Sequence, residues 1–231
     1  MRQIFLDTET TGLDPKLGHR IVEIAAVEMC SRQLTGRHFH YYLNPERESD
    51  ASALQIHGLT REFLQDKHKF RDICEDLLAF IEGAELLIHN APFDVGFLDH
   101  ELGLIRLQSL KNYCTVITDT LVIAKELHPG KRNNLDALCE RYQIDHSRRT
   151  LHGALLDAEL LAEVYLAMTR GQESLLMELD IVPSSIDTAV MVENLHLTVL
   201  SASERELALH AQQLDNIDKE SKGKCLWKLR V

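Results

Sequence analysis

The chain has 231 residues, 45% apolar and 26% charged, an ordinary balance for a protein that can bury a core. At roughly 150 residues per domain this reads as one domain plus a tail. Its 25 Lys and Arg against 36 Asp and Glu leave a formal charge of −11, which excludes a free-standing, high-affinity nucleic-acid binder with a basic face. An enzyme that meets nucleic acid briefly, or is held near it by a partner, stays open.

The elements follow in chain order. Ile4-Phe5-Leu6 starts a strand that Gly12 ends as a turn residue. Arg20 to Glu28, with the run IVEIAAVE, reads as a second strand, and Arg37 to Leu43 as a third. The polar connector Ser31 to Gly36 between them makes the three an antiparallel meander. Phe70, Ile73, Leu77, Leu78 and Ile81 form a helical stripe. Glu85 to His89 is a short buried strand, and Pro92 opens a helix that runs on through Asp94 to Leu104. Tyr113 to Ile117 is the fifth strand. Asp119 to Leu127 and Asn134 to Tyr142 read as helices parted by Pro129-Gly130, and Gly153 to Met168 is a helix rich in helix formers. From Gly171 to about Asn194 the periodicity weakens, with Pro183-Ser184-Ser185 as linker. Leu195 to Leu200 alternates, and a last helix covers Ala202 to Ile217. Strands meeting helices in this order predict an α/β fold, a mixed five-stranded sheet with helices on both faces, plus a linker and a small C-terminal segment.

Cys30, Cys74, Cys114, Cys139 and Cys225 are scattered and form no C-x-x-C pair, so neither a disulfide framework nor a zinc site is indicated. A reducing cytosol fits best. No apolar h-region opens the chain, and no apolar run approaches the ~20 residues that span a bilayer. The expected location is the cytoplasm, without membrane association.

Four places carry chemistry. On a strand Asp7 and Glu9 point to one side, and two carboxylates at the end of a buried strand call for a positive partner, for which a hard divalent cation is suited. An ordinary alternative is a frayed strand end with both acids solvated. His89-Asn90-Ala91-Pro92-Phe93-Asp94 puts an acid just inside a helix that follows a strand, where ligand sites gather in parallel sheets; it also suits the helix dipole alone. His152 and Asp157 lie about 140° apart on a continuous helix. They can converge if His152 sits in the loop before the helix and Asp157 on its second turn, Gly153 giving freedom between. His57-Gly58 reads, from composition, as a turn histidine.

DTETTG, HNAPFD and HGALLDA, in this order, resemble the DEDD superfamily of 3′–5′ exonucleases, in the branch with a histidine five residues before the last Asp. The likeness extends through LTG, HGL, LLIHNAPFDVGFLD, the PGKRN segment and TLHGALLDAELLAEVYLAMT to the family of proofreading epsilon subunits of bacterial DNA polymerase III, over roughly 1–169 and 195–228. It implies an RNase H-like five-stranded sheet, with residues 1–170 as a 3′–5′ exonuclease domain, 171–194 as a linker and 195–231 as a polymerase-binding segment. It implies that Asp7, Glu9, Asp94 and Asp157 hold two divalent ions, Mg²⁺ or Mn²⁺, that His152 is the general base, and that deoxynucleoside 5′-monophosphates are released. Asp7, Glu9, Asp157, Thr10, Leu13 and His57 would meet the terminal nucleotide of a DNA primer 3′ end. Ser52 departs from the family, whose members carry a Glu there. The resemblance also implies docking on the polymerase alpha subunit through 195–228, and Gln172, Leu175 and Met177 resemble the anchors of a sliding-clamp motif.

Two other readings stay open. A related exonuclease with the same five residues trims RNA ends; the C-terminal extension speaks against it. A chain that only braces a polymerase would not need Asp7, Glu9, Asp94, His152 and Asp157 together.

Overall fold

The computed structural model describes residues 2–147, 151–170, 202–221 and 227. The chain divides into two units, Met1–Val182 and Pro183–Val231.

In the first unit a five-stranded sheet is built around β1 (Arg2–Thr10), with β2 (Ile21–Cys30), β3 (Gln33–Tyr42), β4 (Glu85–Ile88) and β5 (Val116–Asp119) in the order β3-β2-β1-β4-β5. β1 pairs antiparallel with β2 and parallel with β4, so the meander meets the parallel half of the sheet at β1. Alternation along β1 divides the core. Ile4 and Leu6 pack on α3 (Phe70–Ile81) and α4 (Ala91–Leu104), beside Ile73, Leu77, Phe97 and Leu98. Phe5 faces the other way, onto Ala158 and Leu161 of α7 (Ala154–Met168). α5 (Thr120–Leu127) and α6 (Leu135–Tyr142) close on the outer side of α7 through Ala124, Leu138, Leu160 and Val164. The sequence-based architecture therefore holds: a mixed sheet, three strands of it a meander, with helices on both faces.

Local corrections have physical reasons. The β2–β3 turn is the pair Ser31-Arg32, at φ of 50° and 62°, so β3 begins at Gln33 and not at Arg37. Two left-handed residues match the twist of the strands without a glycine. Gly36, at φ 80°, lies where the register of β3 against Val27–Met29 shifts. The fifth strand starts three residues later than predicted, because Tyr113 closes a 3₁₀ turn over Leu110–Asn112 and Val116 is the residue opposite Glu85. Two short helices, α1 (Ala51–His57) and α2 (Arg61–Leu64), were not expected. Leu54 and Ile56 of α1 are exposed, so it carries no inward stripe to read.

Arg20, at the start of β2, forks onto Glu101 of α4 with both bonds at 2.6 Å, and Glu101 is 2% exposed. This pair fixes α4, and Asp94 at its start, to the meander. Among the described residues no helix is long and apolar enough to cross a membrane, and Cys30, Cys74, Cys114 and Cys139 are free thiols.

In the second unit α8 (Glu204–Glu220) is the described element. It opens on a capping box: the Glu206 N–H donates to Ser203 Oγ at 3.3 Å and the Ser203 N–H to Glu206 Oε2 at 2.8 Å. The helix begins two residues after and ends three residues after the predicted 202–217. The alternating stretch 195–200, the linker and the clamp-like residues Gln172, Leu175 and Met177 lie outside the described residues.

Arg20→Ala should destabilise the first unit by about 3–5 kcal/mol in urea unfolding, because it leaves the Glu101 carboxylate buried without its partner. The double replacement Arg20→Met with Glu101→Leu should recover most of that loss.

Candidate active site

Asp7 and Glu9 continue the side of β1 that begins with Phe5, so they emerge facing α7 at the end of the strand. Asp157 continues the corresponding side of α7: it lies one turn before Leu161, which packs against the same face of the sheet. Glu9 is 9% exposed and Asp157 4%.

Asp94 arrives from the opposite face. Thr8 points away from Asp7 and Glu9, and its hydroxyl donates to Asp94 Oδ1 at 2.7 Å. Asp94 and Asp157 hold the same place in their helices, the fourth residue, where the helix N-terminus favours a carboxylate. The structure thus sets Asp157 in the first turn of α7 and not in the second. Asn90, which precedes α4, is left-handed at φ 65°, and its N–H donates to Asp119 Oδ1 at 3.0 Å. That carboxylate also caps α5 through the Leu121 N–H at 2.9 Å. Burial pushes the Asp94 carboxyl up to about 7, against the opposing pull of the Thr8 hydroxyl.

His152 lies in the loop before α7, as its distance from Asp157 required. Its N–H donates to the Ile56 carbonyl at 3.1 Å, and Leu151 sits against Gly58 so closely that a side chain there would collide with it. The unexpected helix α1 therefore seats the histidine loop. His152 Nδ1 is 3.5 Å from Asp157 Oδ2, and Glu9, His152 and Asp157 each offer a ligand atom within 4.8 Å of the others.

His57 is not a surface turn histidine. It is the last residue of α1, 4% exposed, with Gly58 as the left-handed cap at φ 72°. Its Nδ1 accepts from the Leu59 N–H at 2.9 Å, so Nε2 carries the proton. That Nε2 is the one buried side-chain polar atom among the described residues without a hydrogen-bond partner. Burial pushes its pKa down, the charge of Glu23 and the nearby Thr10 carbonyl opposing.

Two cavities meet at Thr8, Glu9 and Phe93. The smaller, of about 120 Å³, takes in Thr10, Leu13, Ser52 and His57. Leu13 is 82% exposed at its rim. The loop that carries Leu13 is held by Thr11, which accepts from the Arg20 N–H at 3.0 Å and shares a 3.1 Å bond with His19 Nδ1. The larger cavity, of about 540 Å³, holds Asp7, Glu9, Asp94, His152 and Asp157 together. All five predicted catalytic residues thus share one cleft, and of the six predicted nucleotide contacts Glu9, Thr10, Leu13 and His57 line the adjoining one. Sequence reasoning missed His19, whose only signal was a histidine eight residues after Thr11, and His89, which bonds Thr120 Oγ1 at 3.0 Å and the Asn133 carbonyl at 2.8 Å.

The donor set of four carboxylates and one imidazole suits a hard divalent cation and not a thiophilic one. Carboxylates this buried stay charged beside one another only when a cation is shared among them.

The exonuclease family RNase_T matches residues 4–165. A DNA polymerase III subunit epsilon from Salmonella typhimurium is 49% identical over 238 residues, covering 98% of this chain and 97% of that one. That of Rickettsia prowazekii is 56% identical over 175 residues, 75% of this chain and 76% of that one. Among solved structures, the zinc-bound form of the E. coli ExoI–ssDNA complex aligns at TM-score 0.66 and 19% identity, over 78% of this chain and 42% of that chain, which shows a shared fold. The chain belongs to the exonuclease family, among the epsilon subunits of DNA polymerase III.

Proposed function

We propose that this 3′–5′ exonuclease removes mispaired nucleotides from a DNA primer end, by hydrolysis at a two-metal centre held by Asp7, Glu9, Asp94 and Asp157. The observation that carries the reading is the convergence of these acids with His152 in one cleft beside a second cavity of nucleotide-binding character.

When bound, two ions such as Mg²⁺ or Mn²⁺ supply Lewis acidity at the phosphoryl and leaving oxygens. The chain does the rest. Leu13 leans on the terminal base, and Thr10 with the unpartnered Nε2–H of His57 holds the sugar end in the smaller cavity. An orphaned buried donor is costly until an acceptor arrives, so a substrate oxygen there gains more than a surface contact would. His152, half in solvent, takes the proton of the water that attacks the terminal phosphodiester; the bond from phosphorus to the 3′ oxygen breaks and a deoxynucleoside 5′-monophosphate leaves. Ser52 lines the smaller cavity beside Leu13 and His57. A mismatched end enters more readily because it is already unpaired.

The second unit supports a tethered role. Leu207, Leu214 and Ile217 fall within an arc of about 80° on α8, with Leu207 57% and Ile217 38% exposed. Such a stripe suits docking on the polymerase alpha subunit. Gln172, Leu175 and Met177 would reach the sliding clamp, and both partners place the work in the cytoplasm.

Three outcomes test this. With a 3′-labelled mismatched primer and Mg²⁺, wild type should release nucleoside monophosphates, and Asp7→Ala should lose at least about 1,000-fold, the scale of an electrostatic catalytic contact. EDTA should stop release, and preference for a matched RNA would favour the trimming reading. Divalent ion at about 100 times its Kd should raise the wild-type Tm by about 5–10 °C and leave Asp157→Ala unmoved. At one fixed ion concentration the rise should be larger at pH 8 than at pH 6. The Asp94 pKa is raised by folding, so the metal-free native state binds the extra proton up to about pH 7, and the ion must displace it. Finally, adding the polymerase subunit should raise excision of a mismatch, and deleting 195–231 should abolish that gain while sparing single-strand digestion.

A further inference from the structure

The two cavities that meet at Glu9 divide the substrate. If the terminal nucleoside occupies the smaller one, the chain upstream of the cut phosphodiester passes through the larger. Besides the catalytic-side acids, the larger cavity is lined from α5, the α5–α6 loop and the start of α6, which bring Lys125, Lys131 and Asp136 to it. Lys125 and Lys131 are the two lysines in a cleft otherwise lined by acids, amides, histidines, Thr8 and apolar side chains. Among the described residues the ion-paired lysine is Lys69, with Glu46, and neither Lys125 nor Lys131 has such a partner.

The loop that carries Lys131 is fastened at several points. His128 Nε2 and the Tyr142 hydroxyl share a 2.8 Å bond, Arg141 donates to the Arg132 carbonyl at 2.8 Å and to Asn133 Oδ1 at 3.1 Å, and Asn133 Nδ2 donates to the His128 carbonyl at 3.2 Å. The link to the catalytic side is the part-buried His89, whose Nε2–H donates to the Asn133 carbonyl. His89 directly follows β4 and precedes α4, which carries Asp94. Loops on a protein surface are ordinarily mobile; this one is tied to the strand that positions the carboxylates.

We infer that Lys125 and Lys131 form a phosphate grip for the one or two phosphodiesters upstream of the scissile bond, held in register with the catalytic carboxylates through His89 and Asn133. The inference rests on the exonuclease reading and adds a second binding element to it. In a chain of net charge −11 these cations confine attraction for the backbone to the path the strand must take.

The test compares two substrates and one chemical edit. The p-nitrophenyl ester of thymidine 5′-monophosphate has no upstream phosphate. A single-stranded oligonucleotide has them all, and a neutral methylphosphonate replaces the linkage next to the scissile one in its edited form. Wild type and Lys125→Gln/Lys131→Gln should hydrolyse the ester equally. On the oligonucleotide at 0.1 M salt the variant should lose about ten-fold in kcat/KM, and its slope of log(kcat/KM) against log[salt] should flatten by about 1.4, two phosphates at about 0.7 each for single strands. The edit should slow wild type by several-fold and the variant hardly further. Lys125→Arg/Lys131→Arg should keep most of the rate. A variant that digests the oligonucleotide with unchanged rate and salt slope overturns the grip, as does one that loses equally on the ester. A wild type that cleaves neither substrate overturns the exonuclease reading and the grip with it.

Discussion

Three nearly buried carboxylates, Glu9, Asp94 and Asp157, converge at the end of one strand, and most of the molecule is organised around the cost of holding them there. A buried charge without compensation is among the most expensive things a protein can contain. Part of the compensation is geometric. Asp94 and Asp157 sit at the starts of α4 and α7, so two helix dipoles point their positive ends at the cluster. Thr8 adds a hydrogen bond to Asp94. What remains uncompensated, chiefly the cost of burial, pushes the Asp94 carboxyl up to about 7.

The same constraint explains why β1 lies in the middle of the sheet. A strand with a helix layer on each face can direct Asp7 and Glu9 to one and Thr8 to the other, and so bring acids from α4 and α7 together across its end. An edge strand, with one neighbour, would leave the end mobile. Around this fixed point the supporting bonds run outward: Arg20 to Glu101 secures α4, Thr11 and His19 secure the Leu13 loop, and the Ile56 carbonyl secures the His152 loop. Asp94, the Leu13 loop and the His152 loop are thus each held by a backbone or side-chain hydrogen bond.

What could be read from the sequence follows the same line. β1, β2 and β4 were legible as apolar runs buried in the sheet, α3 because its buried face writes a period into the sequence, and α7 because it is rich in helix formers. The acid triplets were legible because carboxylates in a buried setting need a reason. α1 was not, since it turns Leu54 and Ile56 outward, and with it went the correct setting of His57, which looked like a turn residue and is a buried helix end. The Ser31-Arg32 turn was misjudged because Gly36 drew attention as the turn residue, while the sheet's twist was satisfied by two left-handed residues without Cβ-free backbone. Asp157 was placed in the second turn because α7 was read as beginning at Gly153, one residue before its first residue, Ala154. His19 and His89 act through hydrogen bonds to groups 8 and 44 residues away, and no local pattern encodes such partners.

The charge balance finally bears on how such a site finds its substrate. A chain at −11 repels DNA at long range, and screening at physiological salt confines that repulsion to about 8 Å. Inside that distance the groups that line the cleft, Lys125 and Lys131 among them, meet the strand, so selectivity for its end arises only after something else has brought the two together. Under the proposed docking on a polymerase subunit the partner does so without altering the site, because holding two molecules together raises their effective concentration into about the millimolar range. Weak intrinsic affinity then becomes useful, because a paired primer end that strays into the cleft is released before hydrolysis, whereas a frayed one is already in the conformation the site accepts.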